Sequence, residues 1–265
     1  MSQLLDYFAE IHRSFLHAKG ELATEHLIDW LDCQPGEKIL EFGIGTGATL
    51  IKLISRYKQT KFYGIDVSDL MIVKAIDRLK FCQLDKQAVI EKIVETQFND
   101  VADSYFDKIY VESVLGIQDD ESLQTIISLF NRILKPSGKL LLNETIWLES
   151  TLPETIHQFN GRVKDKFGII QSNSTYAYLR DWKLLLIANQ FDILKIEEVD
   201  NLKEFKRKKN FNEWLSKLFS LLGAVYGKLF LQKEFLLFKE TDLKHQPTQK
   251  IMAGYLIMAL NLKKC

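Results

Sequence analysis

Between residues 34 and 200, short apolar runs alternate with stretches in which apolar positions recur every three or four residues. A short apolar run bounded by turn residues predicts a buried strand, and the 3.6 spacing predicts a helix with one face on a core. The runs fall at 38–42, 61–65, 89–94, 107–113, 139–143 and 191–198. Between them, Leu50, Leu53 and Ile54 mark one helix, and Met71, Ile72, Ala75, Ile76 and Leu79 mark another. Two more helices are predicted over 121–134 and 176–189. Gln34-Pro35-Gly36 and Lys135-Pro-Ser-Gly138 read as turns. Strands alternating with helices predict an α/β domain around a mostly parallel sheet. Upstream, 4–32 reads as helices, with Leu22, Leu27, Ile28 and Leu31 on one face.

The alternation stops after residue 200. Phe211, Trp214, Leu215, Leu218, Leu222, Val225 and Leu229 fall at helical spacing, and a last apolar run over 255–260 predicts a seventh strand. The expected organisation is N-terminal helices over 1–33 that cover a site, a core made of 34–200 plus 251–265, and a helical insertion or lid over 201–250.

Composition narrows the function classes. The 265 residues carry 35 Lys plus Arg against 35 Asp plus Glu, with 46% hydrophobic residues. That balance excludes a disordered or low-complexity chain. A neutral chain offers no general field for nucleic acid, so no nucleic-acid partner is expected. No apolar run approaches the roughly 18–20 residues of a membrane span. The N-terminus has no signal-peptide pattern, which predicts a cytoplasmic protein. Cys33, Cys82 and Cys265 have neither metal-ligand nor disulfide spacing, so no metal is expected.

The sharpest chemical signal is Ile39-Leu-Glu-Phe-Gly-Ile-Gly-Thr-Gly47. A strand that runs through glycines into a helix lets the main chain approach a ligand closely. Asp66 ends the next strand, where a carboxylate can accept hydrogen bonds from a ribose diol. Ser68 and Asp69 beside it also suit a helix cap. Gly43, Gly45 and Ala48 satisfy the dinucleotide pattern G-x-G-x-x-G/A, which makes a nicotinamide-dependent oxidoreductase one reading. Glu41 favours the other, because an acid beside the loop would repel a pyrophosphate and attract a cationic ligand.

Glu41, Gly43, Gly45 and Gly47 fill the E/D-x-G-x-G-x-G pattern, and here the chain resembles the class I S-adenosylmethionine-dependent methyltransferases. Glu95-Thr96, ahead of Phe106-Asp107, is similar to the family's acidic and small residues beside the adenine. Leu134-Lys-Pro-Ser-Gly-Lys-Leu140 resembles the family's L-K-P-G-G-x-L turn, with Ser137 in place of the first glycine. His17-Ala-Lys-Gly-Glu-Leu-Ala-Thr-Glu25 resembles the H-P-G-G…T-E lead-in of some small-molecule members, from which Ala18 and Lys19 depart. Val111-Glu-Ser-Val-Leu-Gly116 resembles a segment of the quinone-, tocopherol- and sterol-type enzymes, with Gly116 where those often have a His. The resemblance covers about residues 17–200 and the last strand.

That resemblance implies a Rossmann-like, seven-stranded, mostly parallel sheet with helices on both faces and a helical insertion before the last strand. It implies S-adenosyl-L-methionine as donor, S-adenosyl-L-homocysteine as product, and no metal. Gly43, Gly45 and Gly47 would pass under the donor, Glu41 would hold its amino group and Asp66 its ribose. Val67 and Met71 would pack on the adenine, and Glu95 or the Thr96 amide would read its edge. Glu112, at the end of the fourth strand, and His17 are the catalytic candidates. The partner would be a small, apolar or amphipathic methyl acceptor, with Tyr7, Tyr110, Trp147 and Tyr176 as candidate lining. His12, His26, His157 and His245 carry no partner spacing. Six basic residues over 203–217 stand against Glu204 and Glu213, so the insertion can serve as a lid or make peripheral membrane contact. A methyltransferase-like protein that binds without catalysis is the remaining alternative, and the oligomeric state is not encoded in any motif.

Overall fold

The computed structural model describes residues 3–94, 100–204, 207–231 and 250–263. Seven strands form one sheet: β1 (Lys38–Phe42), β2 (Lys61–Asp66), β3 (Ala88–Lys92), β4 (Phe106–Glu112), β5 (Leu134–Trp147), β6 (Phe191–Glu198) and β7 (Met252–Asn261). Their order is β3-β2-β1-β4-β5-β7-β6. All pairings are parallel except those of β7 with β5 and with β6. The central strands read as unbroken apolar runs because both of their faces are buried. Leu40, Phe42, Ile109, Val111, Leu140 and Leu142 point into one core. Ile39, Tyr110 and Leu141 point into the other.

Helices cover both faces. The first core takes Leu123, Ile127 and Phe130 of α5 (Asp120–Ile133) and Trp182 and Leu186 of α7 (Leu179–Ala188). The second takes α2 (Glu21–Leu31), α3 (Ala48–Arg56) and α4 (Asp69–Phe81). Chain connections leave β1 and β4 in opposite directions, which opens a crevice at their C-terminal ends, the usual ligand position of such sheets.

Three elements differ from expectation. The N-terminal helices are α1 (Gln3–Glu10) and α2, split by an irregular stretch in which His12, Phe15 and Lys19 take positive φ. β5 begins at Leu134, taking in the residues read as a turn at Lys135–Gly138, and runs past the expected 139–143 to Trp147, through buried Asn143 and Glu144. Those polar side chains break the apolar run without breaking the strand. α6 (Pro153–Phe167) is a surface helix that buries little beyond Ile156 and Asn160, so it leaves almost no apolar period to read. The helix expected after residue 210 is α8 (Phe211–Phe230), packed across α3 and α4.

Candidate active site

A cavity of about 930 Å³ opens at the C-terminal ends of β1, β2, β4 and β5. Its floor is the loop from β1 to α3. Gly43, Gly45 and Gly47 all have positive φ (79°, 53° and 75°), the region L side chains avoid. Their surroundings separate their roles. A Cβ on Gly43 would sit 2.3 Å from Val114, and one on Gly47 would press on Ala75 of α4 at 3.3 Å. A Cβ on Gly45 would meet no atom within 4 Å. Gly43 and Gly45 line the cavity and Gly47 does not. Gly45 is thus the glycine whose missing side chain leaves space to a ligand, while Gly43 and Gly47 serve close packing.

Two acids flank the loop. Asp66 accepts from the Gly45 amide through Oδ2 and from the Ser68 amide through Oδ1, both at 2.9 Å. The helix cap is Ser68, whose hydroxyl accepts from the Met71 amide. Burial lifts the Asp66 carboxyl above its ordinary value, against the pull of those amides. Glu41 is buried against the cavity, and its Oε2 has no hydrogen-bond partner. Burial raises its carboxyl well above the usual range, and the nearby Glu112 and Asp66 add to the rise. An unpaired buried acceptor of this kind suits a cationic group. Val67 and Met71 line the cavity beyond Asp66. Glu95 and Thr96 lie outside the described residues.

Across the cavity Glu112 ends β4. Its Oε1 accepts from the Thr49 hydroxyl at 2.8 Å. Its Oε2 accepts from the Thr24 hydroxyl at 2.9 Å, from Asn143 Nδ2 at 3.0 Å and from His17 Nε2 at 2.9 Å. Burial pushes this carboxyl up, but the imidazole and the hydrogen bonds outweigh it and hold it at about 2. For His17, burial works against the charged form, yet the Glu112 carboxylate raises its pKa above the ordinary value. Asn143 Nδ2 lies 2.9 Å from His17 Nδ1. An amide NH2 only donates, so in the neutral ring Nδ1 accepts and Nε2 carries the hydrogen shared by Glu112 and Thr24, while the Ala18 carbonyl, 3.3 Å from Nδ1, accepts in the protonated ring.

Glu144 is a second buried acid on the same side. It accepts from the amides of Val114, Leu115 and Gly116 at 3.0–3.1 Å. Burial outweighs those three bonds and raises its carboxyl to about 7. A Cβ on Gly116 would stand 3.2 Å from Glu144 Oε2, so a bulkier residue there would crowd this seat.

Thr49, Asn143 and Glu144 carried no signal in the sequence, and Thr24 stood out only as part of the lead-in that begins at His17. They come from three elements and one strand extension, and only the fold assembles them. The rest of the lining is apolar: Leu4, Leu5, Phe8 and Leu16 from the N-terminal segment, Ile117 and Ile126, and Ile169 and Ile170 after α6. Tyr7, Tyr110, Trp147 and Tyr176 are not among the lining residues, and Tyr110 and Trp147 are core. His12 instead stacks on Phe219, and His26 bonds the Lys203 carbonyl. None of residues 207–231 lines the cavity. Among the described residues no group of three or more His, Cys, Asp or Glu is placed to hold a metal.

Comparison with known proteins agrees with this geometry. A family model described as a methyltransferase domain matches residues 39–138. Phosphoethanolamine N-methyltransferase 1 of Zea mays is 31% identical over 131 residues, 49% of this chain and 25% of that protein. The chain thus spans about a quarter of that relative's length. Methyltransferase GfsG of Streptomyces halstedii is 23% identical over 68% of this chain and 62% of its own. Among solved structures, phosphoethanolamine N-methyltransferase 2 of Haemonchus contortus, in complex with S-adenosyl-L-methionine, superposes with a TM-score of 0.63 at 15% identity. That superposition covers 98% of this chain and 57% of that one. A geranyl diphosphate C-methyltransferase from Streptomyces coelicolor A3(2) gives a TM-score of 0.60 at 11% identity, over 90% and 78% of the two chains. The matching domain, the shared fold and the glycine loop with its two acids agree: residues 39–138 match a methyltransferase domain, and the chain has the fold of class I S-adenosylmethionine-dependent methyltransferases.

Proposed function

We propose that the protein transfers a methyl group from S-adenosylmethionine to a small acceptor with an apolar part. The observation that carries this reading is one chamber that holds both halves of the reaction. The glycine loop, Glu41 and Asp66 lie on one side, and the His17–Glu112 pair lies on the other. The donor's features fit what is present. Glu41 Oε2 suits its ammonium group. Each Asp66 oxygen has a lone pair beyond the amide it accepts, which suits ribose hydroxyls. The space above Gly45 admits the ligand, and Val67 and Met71 suit the flank of the adenine, with Glu95 or Thr96 at its edge.

When bound, the donor supplies an activated methyl group on a sulfonium, so the chain's task is alignment, water exclusion and proton handling. Residues 4–17 form part of the cavity wall and act as its cover. Glu112, held at about 2, stays ionised at neutral pH. It therefore fixes the His17 ring and favours positive charge there, in the manner of an orienting carboxylate. His17 is the group that takes up a proton. Uptake goes to Nδ1, the ring nitrogen without a hydrogen in that form, where the Ala18 carbonyl at 3.3 Å accepts the new hydrogen and the Asn143 amide turns its NH2 away. The apolar wall from Leu4, Phe8, Ile169 and Ile170 supports an acceptor with an apolar part. The relatives' names, which point to phosphoethanolamine and to geranyl diphosphate as substrates of those proteins, keep the acceptor among small molecules.

The test is calorimetric titration of one sample with S-adenosylmethionine, S-adenosylhomocysteine and NADH, followed by transfer of labelled methyl to apolar and amphipathic acceptors. Micromolar binding of both sulfur ligands with turnover is the expected result. Binding of NADH alone would replace this reading with a nicotinamide-dependent oxidoreductase. Donor binding with no turnover on any extract would leave a binding protein.

A further inference from the structure

The face of α8 turned to the protein is polar or small except at Phe219 and Leu215, and the face turned outward is apolar. Glu213 is buried and bonded to Arg56 Nε at 2.7 Å. Ser216 and Ser220 accept from the buried Arg78 guanidinium at 2.9 and 3.0 Å. At Gly223 and Gly227 the helix lies so close to Ile11 that a Cβ would clash at 2.4 Å. These contacts set the helix's rotation. They leave Phe211, Trp214, Leu222, Val225 and Leu229 between 51% and 68% exposed. With Leu218, these positions recur at intervals of three and four, so they form one continuous stripe. A soluble surface seldom presents a stripe of this kind without a partner.

We propose that this stripe docks the protein on an anionic lipid surface. The charges select that occupant. The acid of α8 is Glu213, which is turned inward, and its exposed charges are Lys217 and Lys228. These two lie about three turns apart and share the edge of the stripe. The approach to the helix adds Lys203 and Lys208 against Glu204, while Lys209 is paired with Glu21 at 2.7 Å. A two-fold pairing of copies through this stripe would bring like charges together. A negative lipid surface instead meets the lysines, while Trp214 and the leucines enter the boundary of the acyl region. No helix among the described residues is long and apolar enough to cross a membrane, so α8 lies in the interface plane. The same helix packs on the segment that walls the cavity, which would turn the cavity's cover toward the bilayer. The proposal stands on the surface of α8 and does not depend on the methyl-transfer reading.

The experiment is co-sedimentation of the full chain with phosphatidylcholine vesicles, with and without phosphatidylglycerol, while Trp emission is followed. Partitioning should be about tenfold stronger on the anionic vesicles. Emission should shift to the blue, and Trp214→Phe should remove most of that shift. Leu222→Asp with Val225→Asp should abolish binding, and Lys217→Glu with Lys228→Glu should remove the anionic preference. Both double variants should unfold at the wild-type temperature and bind S-adenosylhomocysteine as wild type does. Wild-type protein that stays in the supernatant with both vesicles would overturn the proposal. So would vesicle binding that survives Leu222→Asp with Val225→Asp. Self-association that this variant dissolves, without vesicle binding, would assign the stripe to a second copy instead.

Discussion

On the β1–β2 side, the groups that face the cavity come from two strand ends: main chain at Gly43 and Gly45 in one loop, and the Asp66 carboxylate, pinned by the Gly45 and Ser68 amides. On the β4–β5 side they are side chains from distant parts of the chain, with Thr24, Thr49, Glu112, Asn143 and His17 meeting at one carboxylate. The two buried acids of this second side differ as well. Glu112 is met by an imidazole, two hydroxyls and an amide, and is held at about 2. Glu144 is met by three main-chain amides and rises to about 7. Burial acts on both in the same direction, and the partners decide the outcome. A loop built from backbone suits a ligand part that is the same in every turnover. A cluster built from side chains is where chemistry and acceptor choice can reside.

The contrast breaks most visibly at the glycines. Gly45→Val should reduce S-adenosylhomocysteine affinity at least about 100-fold, since its side chain enters open cavity, at a stability cost of about 1–3 kcal/mol for the positive φ. Gly43→Ala should do the reverse, losing more stability, because its Cβ meets Val114 at 2.3 Å. Equal loss of binding and stability in both variants would erase the distinction drawn between them.

Glu112→Gln sharpens the division between walls. Methyl transfer should fall about 100-fold, the scale of a lost acid–base group, with donor affinity changed much less. Parallel loss of both would place Glu112 on the donor side instead. Asp66→Ala should act in the opposite sense and weaken donor binding by about 1.5–3 kcal/mol, the scale of hydrogen bonds to a charged acceptor. An unchanged dissociation constant would remove Asp66 from the donor site.

The two acids also predict opposite pH effects on stability. The Glu112 carboxyl lies below its ordinary value of 4.5 when folded, so it stabilises above pH 4.5 and that contribution is lost as pH falls toward 2. The Glu144 carboxyl lies above 4.5 when folded, so its contribution is present below pH 4.5 and is lost as pH rises to about 7. Relative to wild type, Glu144→Gln should therefore gain stability between pH 5 and 8, by a few kcal/mol at most. Thermal unfolding across that range measures it. A difference that does not change with pH would show that Glu144 does not titrate in that window.

Much of the β1–β2 side of the cavity was legible in the chain. β1, β2, β4 and β6 fall within one or two residues of the apolar runs that predict them. Glu41, Gly43 and Gly45 are close in sequence and Asp66 ends the next strand, so their pattern survives in one dimension. The opposite wall was legible at Glu112, at His17 and in the lead-in that holds Thr24, but not at Asn143 and Glu144, whose polarity ends the apolar run while β5 continues. The acceptor lining was misplaced on Tyr7, Tyr110, Trp147 and Tyr176, since composition does not tell a core aromatic from a cavity wall. The lid expected over 201–250 has one described helix, α8, and its contacts lie on α3, α4 and the N-terminal segment. Residues 205–206 and 232–249 of that range lie outside the described residues.

Local physics therefore settled what lies along the chain: strand runs with both faces buried, a loop whose positive φ angles call for glycine, and an acid at the end of β2. Tertiary structure alone decided which remote side chains surround Glu112, why two buried carboxylates titrate at opposite ends of their range, and which face of α8 turns outward. Those outcomes depend on burial and on through-space partners. The helical period of α8 is the same whichever face is inside, and Arg56, Arg78 and Ile11 chose between them.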